Sequence, residues 1–222
     1  MSESVSAESF LHDRTYRCIM EPSFYEKRKN MGREFELKYA ATPEQHARIR
    51  QAFGEFETVT METVYYDTPE GELSAGHITL RRRLENGVSV CTVKTPAQDG
   101  SRGEWECQCD DIRKAAAQLQ ALGAPEELTR WCSGPLTERC GARFTRQLKR
   151  IETAEAVVEL ALDSGVLLGG GKELPLCEVE VEQKSGSDEA VAAYAWQLAA
   201  RFGLVPEERS KLSRALALMK GE

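Results

Sequence analysis

The feature that most constrains this chain is a one-residue beat of charge along β-like segments. It appears first as Glu34-x-Glu36-x-Lys38, with Phe35, Leu37 and Tyr39 at the alternate positions. Successive side chains of a strand point to opposite faces, so this spacing gathers charge on one face and apolar groups on the other. The beat returns in Arg81-x-Arg83, Thr92-x-Lys94, Arg102-x-Glu104-x-Glu106, Glu159 with Asp163, and Glu178-x-Glu180-x-Glu182. A sheet built this way either keeps one face wet or closes around a charged lumen.

The signs are sorted by strand, which bears on that choice. Segments 81–83 and 146–150 are basic, 178–182 is acidic, and 34–38 and 102–106 are mixed. Like charges two residues apart repel one another, and solubility does not call for that arrangement on several strands. A polyanion held with divalent cations does. Carboxylates are hard oxygen ligands for Mg²⁺ or Mn²⁺, while Arg and Lys neutralise phosphate oxygens. Closure of the sheet would bring both sets around one ligand and remove exposed strand edges.

Bulk properties narrow the field further. A net charge of -7 over 222 residues argues against a nonspecific nucleic-acid binder, which needs a basic surface to displace counterions. No run approaches the roughly 18 to 20 apolar residues that span a bilayer, and the first twenty residues lack a signal-peptide core, so a cytoplasmic protein without membrane attachment is expected. Seven cysteines with no CxxC pair read as free thiols rather than a disulfide framework or a zinc site. His12, His46 and His77 lie far apart and are assigned no role.

Residues 1–31 read as a weakly ordered leader and 32–222 as one domain. Thr42-Pro43-Glu44-Gln45 predicts a capped helix running to Phe53. Strands are predicted at 59–67, 77–85, 88–95, 102–109, 142–151, 155–163 and 175–184, with Asn86-Gly87 as a hairpin turn. Further helices are expected from Asp111 to Leu122, over 126–132, from an Asp188 cap to Phe202, and from Ser210. Hairpin-linked strands that outnumber helices point to antiparallel α+β.

Taken together, these segments resemble the CYTH superfamily, the triphosphate tunnel metalloenzymes, whose hallmark is an E-x-E-x-K strand. The likeness runs from about Gly32 to Lys220. It includes Tyr65-Tyr66-Asp67-Thr68-Pro69, Leu80-Arg81-Arg82-Arg83, Thr92-Val93-Lys94-Thr95-Pro96, Glu159 to Gly165, Cys177 to Glu182 and Ser210-Lys211-Leu212-Ser213-Arg214. The resemblance implies an eight-stranded antiparallel β-barrel tunnel with helices packed outside. By it, Glu34, Glu36, Asp163, Glu178 and Glu180 match metal positions. Lys38, Arg81, Arg83, Lys94, Arg146 and Lys211 match phosphate positions, with Arg150 and Arg214 as additions. Glu104, Glu106, Glu159 and Glu182 would line the tunnel. Glu36, Lys38, Glu180 and Lys211 are the residues expected to carry the chemistry. Arg82 should face outward, while Arg143, Arg146 and Arg150 could trade places if their strand carries a bulge.

The function implied is Mg²⁺- or Mn²⁺-dependent hydrolysis of inorganic triphosphate to diphosphate and phosphate, a small-molecule reaction. Alternatives are a thiamine or other organic triphosphatase, a class IV adenylyl cyclase, and a non-enzymatic polyphosphate- or nucleotide-binding module. An organic substrate needs an apolar platform at a tunnel mouth. Trp105 has the wrong parity for the lumen, Trp196 sits on the 188–202 helix, and Trp131 suits packing better than a mouth. A stand-alone catalytic domain is expected, and a homodimer is left open.

Overall fold

The computed structural model describes residues 35–96 and 102–221, so the expected leader and Glu34 lie outside the described residues. In chain order the elements are β1 (Glu36–Ala40), α1 (Pro43–Phe53), β2 (Glu57–Asp67), α2 (Glu72–Ala75), β3 (Thr79–Glu85), β4 (Val88–Pro96), β5 (Arg102–Gln108), α3 (Ile112–Ala121) and α4 (Glu127–Ser133). There follow β6 (Thr137–Glu152), β7 (Ala156–Gly169), β8 (Lys172–Gly186), α5 (Asp188–Phe202), β9 (Val205–Pro206) and α6 (Lys211–Lys220). The architecture is the expected antiparallel α+β. All nine strands belong to one sheet in the order β5-β4-β3-β2-β6-β7-β8-β1-β9.

Local chemistry explains where these elements start and turn. Thr42 Oγ1 accepts from the Gln45 amide while Gln45 Oε1 accepts from the Thr42 amide, which closes the capping box ahead of Pro43. Asn86 and Gly87 both have positive φ, as the tight β3–β4 turn requires, and Asn86 Oδ1 accepts from the Thr60 amide and hydroxyl.

Strands β6, β7 and β8 run longer than the sequence reading because Gly165 does not end β7. A side chain there would meet the Arg143 carbonyl oxygen at 2.2 Å, so the glycine permits close pairing with β6. Ser187, not Asp188, caps α5 through its hydroxyl. Helix α2 and strand β9 were not foreseen.

The registers carry one continuous face across the whole sheet. Arg146 pairs with Asp163, Asp163 with Glu178, and Lys38 with Glu180; Arg81 pairs with Thr92 and Thr92 with Glu106. Opposed residues in an antiparallel pair share a face, so the charged positions of β1 and of β3 to β8 lie on one side.

The other side is apolar and carries α1 to α5. One outer core joins Tyr39, Val158, Leu160 and Val181 to Ile49 of α1 and Val191, Leu198 and Phe202 of α5. A second joins Leu80, Cys91 and Val93 to Ile112 and Leu119 of α3 and Leu128 and Trp131 of α4. Each fully buried Leu, Ile or Val contributes about 1.5–3 kcal/mol.

Two features depart from the expected tunnel. The pairing order leaves β5 and β9 as edges among the described residues, so hydrogen bonds do not close the sheet, and the short β9 makes nine strands rather than eight. Helix α6 packs on the charged side, not outside. Leu212, Ala215 and Leu216 rest against Phe144, Ala142, Leu167 and Leu176, and a Cβ on Gly169 would meet the Ala215 carbonyl oxygen at 2.3 Å. Among the described residues no helix is long and apolar enough to cross a membrane, and the six described cysteines are free.

Candidate active site

Strands β6, β7 and β8 and the first turn of α6 build the densest cluster. Asp163, Glu178 and Glu180 are buried, and one oxygen from each lies within 4.8 Å of the others. Arg146 grips Asp163 through two bonds, Nε to Oδ1 at 2.8 Å and Nη2 to Oδ2 at 2.7 Å, and also pairs with Glu180. Lys211 Nζ lies 2.8 Å from Asp163 Oδ2 and 2.7 Å from Glu180 Oε1, and pairs with Glu178 as well. Arg214 pairs with the second Glu178 oxygen. Ser210 caps α6 and so aims Lys211 and Arg214 at these acids. Cations in the first turn oppose the helix dipole, and the facing carboxylates offset that cost.

Electrostatics in the cluster follow from burial and pairing. Burial alone would push the Glu180 carboxyl up, but Lys211 and Arg146 outweigh it and hold the group well below the usual carboxylate range. Burial would likewise lower Lys211, and Asp163, Glu180 and Glu178 hold it well above the usual amine value. For Glu178 burial prevails and raises the carboxyl, with Lys211 pulling the other way.

A second cluster lies on the same face of β3, β4 and β5. Glu104 receives Lys94 at 3.3 Å and Arg81 at 3.4 Å, and Arg83 pairs with Glu85 and, at 3.8 Å, with Glu106. Burial would raise Glu104, yet Lys94, Arg81 and Arg83 bring it down to about 2. The Thr92 hydroxyl is fully buried between Arg81 and Glu106 in register. A third group joins Lys184 to Glu182 at 2.6 Å and to Glu159 at 3.6 Å.

The structure therefore brings most of the candidates together and separates a few. Lys38 faces Glu180 across the β1–β8 pair and lowers its pKa further. Glu36 sits opposite Glu182 and is exposed. Arg146 is the β6 arginine within the cluster. Arg150 shares its face but is exposed and pairs with Glu152 at 3.6 Å, while Arg143 lies on the outer face with Glu173. Arg82 faces outward beside Tyr66, and Trp105 and Trp131 pack in the outer core.

Sequence reasoning gives no site role to four contributors. Glu85 and Lys184 continue the alternation and were legible by parity. Phe144 carries no charge signal, yet its ring lies 5.2 Å from Lys211 Nζ and 5.8 Å from the Arg146 guanidinium. His46 reaches the acidic strand from the outer side, its Nε2 3.1 Å from the Glu178 carbonyl oxygen and its Nδ1 3.2 Å from Ser164 Oγ. Burial lowers its pKa, consistent with a neutral ring that bonds through both nitrogens.

An antiparallel sheet whose one face carries sorted acids and bases, with a cationic helix end set among the acids, defines a class of α+β proteins that gather both signs of charge on one sheet face. The chain belongs to the CYTH domain family, whose model matches residues 32–216. An inorganic triphosphatase of Haemophilus influenzae is 29% identical over 167 residues, covering 71% of this chain and 47% of that protein. The chain thus spans about half the length of this curated relative.

Two solved structures share the fold. A Hippeastrum protein with a dominant triphosphatase activity superposes with a TM-score of 0.56 at 19% identity, covering 86% of this chain and 96% of that one. A Bacillus halodurans protein provisionally described as an adenylate cyclase gives 0.55 at 19% identity, covering 81% and 97%.

Proposed function

We propose that this chain hydrolyses inorganic triphosphate to diphosphate and phosphate with Mg²⁺ or Mn²⁺. The observation that carries the reading is the convergence of Asp163, Glu178 and Glu180 within 4.8 Å, on the same sheet face as Arg81, Arg83 and Lys94. Carboxylate oxygens suit a hard divalent cation, and the Lys211 ammonium seated among them marks the place as one that accepts positive charge. Asp163, Glu178 and Glu180 would hold the metal, with Glu36 from the first strand. The metal would supply Lewis-acid polarisation of the phosphoryl group and a more acidic water.

The chain's own residues supply the rest. Arg81, Arg83 and Lys94 would bind phosphate oxygens at one end of the substrate, and Arg146, Lys211, Arg214 and Lys38 those near the metal. Each forms a charge-assisted bond that strengthens as negative charge shifts toward the leaving diphosphate. Glu36 and Glu180 would orient the attacking water and accept its proton. Glu104, Glu106, Glu159 and Glu182 hold the basic side chains extended across the face. Arg150, exposed at the strand's end, would meet substrate only on entry.

Inorganic triphosphate is favoured over an organic one because Trp105 and Trp131 are spent in the outer core and Trp196 is exposed on α5. The test is phosphate release with Mg²⁺ or Mn²⁺ from triphosphate, thiamine triphosphate, ATP and long polyphosphate. Triphosphate should be turned over fastest. Equal rates on ATP overturn the inorganic preference, cyclic AMP formation supports the cyclase reading, and binding without release leaves only a binding module.

A further inference from the structure

We propose that Lys211 occupies the cation position of the acidic cluster until triphosphate draws it away, so that metal and anion bind as a coupled pair. This rests on the reading of the cluster as a metal and triphosphate site. The Lys211 ammonium contacts all three carboxylates at once, Asp163 at 2.8 Å, Glu180 at 2.7 Å and Glu178 beside them. The ammonium sits where their oxygens converge, in ion-pair contact with one oxygen of each acid.

Charge balance adds to the steric argument. Asp163, Glu178 and Glu180 face Arg146, Lys211 and Arg214, so each of the three acids is already matched by a cation of the chain. A bare divalent cation approaching these acids meets a like charge already at their centre.

The cations are unequally held. Arg146 is fixed by a bidentate fork on Asp163, whereas Lys211 is a point charge on a flexible four-carbon stem at the first residue of α6. Its head can leave the carboxylates while Leu212, Ala215 and Leu216 keep the helix seated. A triphosphate on this face offers Lys211 new acceptor oxygens, and its departure uncovers the acids. Metal then binds where the ammonium was. Free metal and free anion each bind weakly, and each strengthens the other equally.

The test measures Mn²⁺ binding to the full chain by electron paramagnetic resonance, with and without imidotriphosphate, a hydrolysis-resistant triphosphate. In the unmodified protein the anion should tighten Mn²⁺ binding at least tenfold. Lys211→Gln should bind Mn²⁺ alone at least tenfold more tightly than the unmodified protein and show a smaller gain from the anion. Lys211→Arg, which keeps the charge, should resemble the unmodified protein.

A folded Lys211→Gln that binds Mn²⁺ no more tightly overturns the proposal. If that variant fails to fold, the unmodified protein decides, because Mn²⁺ affinity indifferent to the anion also overturns it. Coupled binding with no phosphate release would defeat the triphosphatase reading and leave the exchange standing. Phosphate release with uncoupled binding would defeat the exchange alone.

Discussion

Replacing Asp163 by Asn should weaken the fold as well as the chemistry, by an amount that can be worked from its contacts. Asp163 is fully buried and accepts two bonds from Arg146 and an ion pair from Lys211, all at 2.7 to 2.8 Å. Asn keeps the volume but removes the charge and turns an NH₂ toward one of the cations. Two unit charges about 4 Å apart interact by about 4 kcal/mol at an effective dielectric of about 20. Removing one partner of a buried pair typically costs about 3–5 kcal/mol, against a total stability of about 5–15 kcal/mol.

With a urea slope of about 2 kcal/mol per molar, the unfolding midpoint should fall by about 1.5–2.5 M at unchanged slope. Far-UV circular dichroism during urea titration measures this. The loss should persist in about 1 M NaCl, because buried pairs are little screened. A midpoint shift below about 0.5 M, or one that vanishes in salt, would refute the view that these charges are buried and mutually dependent.

Three further outcomes are expected. Glu36→Gln and Lys38→Ala should each lower phosphate release by about 100-fold or more while the thermal midpoint barely moves, since Glu36 is exposed and Lys38 only half-buried; turnover close to that of the unmodified protein would remove both from the site. Gly169→Ala should cost about 1–3 kcal/mol and lower activity together, because its methyl group would push α6, and with it Lys211 and Arg214, off the sheet; calorimetry and a phosphate assay report both effects. Glu104 is held at about 2 when folded, below the ordinary value of 4.5, so its stabilisation is complete above pH 4.5 and is lost as pH falls toward 2. Glu104→Gln should therefore flatten the acid limb of a stability-against-pH curve over that window.

Period-two alternation made the two faces of the sheet legible, and with them nearly every charged position on the inner face. Parity also settles the β6 arginines. The β2–β6 register shift falls between Tyr65 and Tyr66, upstream of this stretch, so Arg146 and Arg150 share a face and Arg143 takes the other. Burial decides between Arg146 and Arg150, and a linear pattern does not report it.

The side of the sheet that α6 chooses was hidden for a similar reason. Its apolar residues announce only that one helix face is buried. Contact with Phe144 and Leu167 depends on Gly169 leaving room for the helix backbone. His46 draws no role from the sequence because its partners are a backbone carbonyl and Ser164, neither marked by spacing.

The division of the outer coat into two cores has a consequence for cooperativity. Between them Thr58, Thr60 and Glu62 of β2 are exposed, with no helix above them among the described residues. Such a strip divides the outer coat into two blocks, each able to open with its own free energy, while Val59 and Met61 of the same strand stay buried in the core beneath α6. Asp163, Glu178 and Glu180 ride on one block, and Arg81, Arg83 and Lys94 on the other. A ligand that spans both sets would act as a clasp, and amide protons of β3 and β8 that exchange with separate energies in the free protein would exchange together once it is bound.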